Sequence, residues 1–146
     1  MKQPGALICL FIFVAAVSFA LASEQYNSGR KLKASLTGTA EVPGPGDNDG
    51  SGTATLTLSA GKNQICYELA VSNIGTATAA HIHSGGADVA GPVLVTLTAP
   101  ANGSSKDCVT LEREKILEIL KSPGSYYVNV HNAEFPNGAV RGQLVK

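Results

Sequence analysis

The chain has 146 residues, 11 basic and 11 acidic side chains, three histidines, three cysteines and no tryptophan. Charges this sparse and balanced exclude a polybasic nucleic-acid or membrane-surface protein. An aromatic content of 5% leaves no stacking platform for bases or sugars, and the length suits one domain.

Residues 1–22 read as a secretory signal. Lys2 supplies the positive start, residues 6–19 the short apolar core, and Ala20-Leu21-Ala22 the small residues that signal peptidase reads. An uncleaved anchor is the alternative, but the run is short for a span and a good cleavage site follows it. The expectation is a secreted, extracellular protein with no membrane anchor after cleavage. Cleavage after Ala22 removes Lys2 and Cys9 and leaves ten basic side chains against eleven acidic. Residues 23–30 are polar and expected to be a flexible segment, with one domain over 31–146.

That domain reads as short strands split by Gly, Pro, Asn and Asp turns. Residues 31–38 form a first strand, and 42–50 (VPGPGDNDG) must be loop. Residues 52–59 alternate Ala54, Leu56 and Leu58 against Thr53, Thr55 and Thr57, a half-buried strand with a hydroxyl-bearing outer face. A turn at 61–63 leads into 64–72, with Ile65, Tyr67, Leu69 and Val71 on one face and Cys66 beside Glu68 on the other. Further strands are expected at 76–84, 93–99, 125–131 and 139–145. Residues 110–121 are the one expected helix, capped by Thr110, with Glu112 and Glu114 in its first turn, Lys121 in its last, and Pro123-Gly124 ending it. Leu111, Ile116, Leu117, Ile119 and Leu120 make its apolar side. The sum is an all-β protein: an antiparallel, Greek-key-like β-sandwich of about seven to eight strands with one short crossover helix.

Cys66 and Cys108 survive cleavage as an even pair in an oxidising compartment, so a Cys66–Cys108 disulfide is expected; free thiols as metal ligands are the alternative. The bridge would pin the outer face of the 64–72 strand rather than the core. Asn102-Gly103-Ser104 is a glycosylation sequon at a turn.

His81 and His83 are two apart on a strand and therefore share a face. His131 shares a face with Tyr127 and Asn129 on the 125–131 strand. If those strands are neighbours, three imidazoles converge and can hold one copper or zinc ion. Two other readings stand beside this one. The rings can instead hold loop carbonyls in place, bracketing the 84–92 loop, or sense pH near their ordinary value of about 6.5. Glu134 is a candidate second partner for His131 or a plain exposed loop acid. Asp47, Asp49, Ser51 and Gly52 copy half of an EF-hand loop, but the closing glutamate position is Leu58, so a turn is expected. No phosphate loop, dinucleotide fingerprint or hydrolase triad is present.

Taken together, Ala80-His81-Ile82-His83, the glycines at 85–86, Gly91-Pro92-Val93, residues 127–131 (YVNVH) and residues 138–144 (GAVRGQL) resemble the chordin domain, CHRD, over nearly all of the secreted chain. The resemblance implies a secreted β-sandwich without a settled activity. That sandwich is similar to copper/zinc superoxide dismutase, whose copper ligands include a His-x-His strand. His81 and His83 match that motif well and His131 more loosely. The extra histidines and the aspartate of the enzyme's zinc loop have no counterpart, which excludes a dinuclear site. Arg141 is a candidate anion contact or a structural, carbonyl-binding residue. Three functions follow: a non-enzymatic extracellular module for a protein or matrix ligand, a mononuclear copper or zinc protein, redox-active with copper, or a plain structural or stress-related secreted protein without a ligand.

Overall fold

The computed structural model describes residues 29–146. The expected signal at 1–22 and most of the polar segment after it lie outside the described residues.

Eight strands form: β1 (Arg30–Thr37), β2 (Ser51–Ser59), β3 (Gln64–Ser72), β4 (Ala77–Ser84), β5 (Val93–Leu97), β6 (Ser104–Thr110), β7 (Tyr126–Asn132) and β8 (Val140–Gln143). One α-helix, α1 (Arg113–Lys121), joins β6 to β7. All strands belong to a single antiparallel sheet in the order β5-β4-β7-β8-β1-β2-β3-β6. The β3–β4 connection and the α1 crossover carry the chain between the two halves of the sheet, which gives the Greek-key-like connectivity. The sheet curls until its two edges meet at Thr98, just past β5. Thr98 N–H donates to the Tyr67 hydroxyl at 2.7 Å, its hydroxyl donates to Asp107 at 3.3 Å, and Ser105 donates to its carbonyl at 2.8 Å. The result is a sandwich-like, nearly closed barrel held at its seam by side chains.

Period-two alternation places the core. Leu32, Leu36, Leu56, Leu58, Ile65 and Ile82 turn inward, each at most 2% exposed. The helix lays Ile116 and Ile119, both fully buried, against that core.

Three expectations need correction. A strand the sequence reading did not expect, β6, occupies 104–110, and Thr110 lies in it opposite Gln64. The helix therefore starts later, at Arg113, with Glu112 at its N-cap and no side-chain capping bond. Thr110, held opposite Gln64 on β3, lies two residues before that N-cap and so is not the capping residue. Of the expected apolar side of the helix, Leu117 faces out at 40% exposed. The strand expected at 93–99 stops at Leu97, because Thr98 turns to reach the other edge.

Candidate metal centre

The Cys66–Cys108 disulfide is present. The two cysteines lie directly opposite each other on β3 and β6, on the outer face beside Glu68.

The three histidines come together. On β4, Ala80 and Ile82 enter the core, so His81 and His83 take the outer face; on β7, Val128 and Val130 enter the core, so Tyr127, Asn129 and His131 take the same outer face. The β4–β7 ladder sets His81 opposite Asn129, His83 opposite Tyr127 and Ala79 opposite His131. A bulge against β5 falls between Ile82 and His83, a place where bulges commonly re-aim a side chain.

One ring nitrogen from each histidine lies within 4.8 Å of the others. His81 Nδ1 is 3.1 Å from His131 Nε2. Two nitrogens each 2.0–2.1 Å from one tetrahedral ion would sit about 3.3 Å apart, so little movement is needed to seat an ion between them.

Backbone carbonyls fix the tautomers of the other two rings. His83 Nδ1 is 2.9 Å from the Gly91 carbonyl, and His131 Nδ1 is 2.9 Å from that of Pro136. A carbonyl only accepts, so both Nδ1 atoms carry the proton and both Nε2 atoms keep a lone pair. This is the arrangement of metal-ligating histidines, whose second nitrogen donates to a carbonyl or carboxylate. His83 Nε2 is buried and has no partner. The carbonyl-holding and metal-holding readings are thus compatible, since each ring has two nitrogens.

Burial holds the His81 imidazole below its ordinary pKa, with the charges of His131 and His83 adding to the effect. Burial also lowers His131, against the opposing bond from the Pro136 carbonyl. Both effects favour neutral rings, the form that binds metal.

A second layer holds the first. The His83 ring stacks on Tyr127, with centroids 4.7 Å apart and planes 7° apart. Arg141, 1% exposed, also lies over the Tyr127 ring, its Cζ 3.4 Å from the centroid. Arg141 Nη2 donates to the Gly86 carbonyl at 2.7 Å and to Gln143 at 3.2 Å, and Gln143 donates to Gly85 at 3.0 Å. Arg141 therefore tethers the loop after β4. That loop delivers the Gly91 carbonyl to His83. Gly91 passes so close to the Ser84 carbonyl that any Cβ would collide with it.

Glu134 is exposed and does not hold His131; Pro136 does. Leu58, at the closing position of the half EF-hand pattern, turns into the core at 1% exposed. Asn102 is exposed in the turn before β6.

Two residues the sequence reading gave no role stand beside the site. Glu41, 6% exposed, accepts from Asn129 Nδ2 at 3.1 and 3.2 Å. Burial pushes its carboxyl up to about 7, against the Asn129 bond and the Arg141 charge. Gly138, at φ 144°, passes so close that any side chain would meet the Glu41 carboxylate. Asn129 Oδ1 and Arg141 Nη1 are buried without partners. The alternation on β7 put Asn129 on the histidine face; nothing local marked Glu41 as buried.

Among the described residues no helix is long and apolar enough to cross a membrane. No curated protein and no solved structure matches the chain. The sequence model of the family described as CHRD domain matches residues 32–144, from within β1 to just past β8. The chain belongs to the CHRD domain family.

Proposed function

We propose that this CHRD domain is an exported, non-enzymatic module that holds one copper or zinc ion through His81, His83 and His131. The observation that carries the reading is the convergence of three imidazole nitrogens within 4.8 Å, two of them on rings already oriented by carbonyls. Three histidine ligands leave a fourth position open for an exogenous group. Export is supported by the signal-like residues 1–22 and by a disulfide of the kind oxidising compartments maintain. A glycan on the exposed Asn102 belongs to the same reading.

The test is elemental analysis of protein purified from the culture medium, followed by calorimetric titration with copper(II) and zinc(II). One ion per chain is expected in the wild type and none in a His81→Ala, His83→Ala double variant. Equal metal content in the two proteins would overturn the proposal.

A second reading is supported by a different face. A groove of about 500 Å³ crosses the outer side of β2, β3 and β6, lined by hydroxyls of Thr53, Thr55, Ser104 and Ser105 and by the Glu68–Lys106 pair. It suits a polar extracellular protein or matrix ligand. Binding there would survive the double histidine variant, which separates the two readings.

A further inference from the structure

Asn129 stands at the centre of the histidine face. It lies opposite His81 across the β4–β7 ladder and two residues before His131 on the same side of β7. It is 3% exposed. Its amide is half used: Nδ2 donates to both Glu41 oxygens, while Oδ1 is buried with no partner.

The orientation of that amide follows from chemistry. An ionised carboxylate only accepts, so while Glu41 is charged the nitrogen end must face it. Glu41 follows β1, and β1 lies beyond β8, on the side of β7 away from β4. The two ends of a planar amide point apart. With Nδ2 drawn toward β8 and β1, Oδ1 turns toward β4, where the three imidazoles meet. A buried carbonyl left unpaired is costly, so the position calls for a donor. His83 and His131 each spend Nδ1 on a carbonyl, His81 Nδ1 and His131 Nε2 face each other as candidate ligands, and no histidine nitrogen bonds Oδ1.

We propose that Asn129 Oδ1 accepts a hydrogen bond from a water bound at the fourth position of the metal, and that Glu41 is the positioning residue that presents Oδ1 rather than Nδ2 to it. The inference rests on the metal reading above. It gives the open position a preference: small ligands that carry their own proton, such as water or hydroperoxide, are favoured over bare anions.

Cobalt(II), a coloured stand-in for zinc, is loaded into the wild type, Asn129→Leu and Glu41→Gln. Sodium azide is then titrated at pH 8.5, where Glu41 is ionised, while the visible spectrum is followed. In the wild type azide must displace a hydrogen-bonded water and confront a carbonyl oxygen. In Asn129→Leu that penalty is absent, so azide binds about tenfold more tightly. In Glu41→Gln the amide can turn either way, and azide binds about threefold more tightly. The Glu41→Gln change removes a buried charge while keeping shape and an acceptor, so this variant carries the test even if Asn129→Leu fails to fold. Equal azide affinities in fully cobalt-loaded proteins would overturn the inference and leave the metal centre standing. Failure of the wild type to take up cobalt would overturn both.

Discussion

Replacing Glu41 by glutamine should make the metal-free protein more stable at alkaline pH and leave it unchanged in acid. Burial lifts the Glu41 carboxyl from 4.5 to about 7 in the folded protein. A rise of that size corresponds to about 3 kcal/mol in favour of the protonated form; residual solvent contact reduces it to about 2 kcal/mol. The folded pKa lies above the unfolded one, so this stability is fully present below about 4.5 and lost as pH rises through about 7. Glutamine mimics the protonated acid at every pH. Wild type and Glu41→Gln should therefore melt within about 2 °C of each other at pH 4.5, and the variant should melt about 8 °C higher at pH 8.5. Thermal unfolding followed by circular dichroism in a chelator measures both. The histidines are common to the two proteins, so their titration largely cancels in the difference. Melting curves that stay parallel from pH 4.5 to 8.5 would refute the reasoning.

The disulfide and the imidazoles give two more expectations. The paired Cys66→Ala, Cys108→Ala variant loses a cross-link of sequence separation 42 on the outer face of the sheet. The chain-entropy model puts that loss at about 4 kcal/mol in guanidinium unfolding, and a change under about 1 kcal/mol would contradict it. In the metal-free protein, proton resonances of His81 and His131 should titrate below 6.5, because their folded pKa values are depressed. Their contribution to stability is then present above 6.5 and lost on acidification; either ring titrating at or above 6.5 would contradict this.

Much of the fold was legible because alternation survives wherever a strand has one buried face. Ala54, Leu56 and Leu58 on β2, and Ile65, Tyr67 and Leu69 on β3, declared their sides directly. The i, i+2 spacing of His81 and His83 carried their shared face in the same way. Strand β6 was not legible, because in SSKDCVT only Val109 packs against the core and there is no apolar rhythm; pairing with β3 and the cross-link to Cys66 impose its extended backbone. The late start of the helix is the other side of the same event. The site was legible in its three rings and not in its support. Glu41 sits among prolines and glycines and reads as a loop acid, yet the fold buries it against β7 and β8. The carbonyls of Gly91 and Pro136 have no side-chain signature, so only the folded loops could show which nitrogen of each ring is free.

A curved sheet with two open lips would offer rows of unsatisfied main-chain groups on which a neighbouring copy could template and begin a fibril. Here the meeting at Thr98 turns one lip toward the other, and Lys106 and Asp107 place charge on the strand across the seam. A chain built from valine, threonine and glycine strands, of a kind prone to stacking, gains from that seam a defence against self-association.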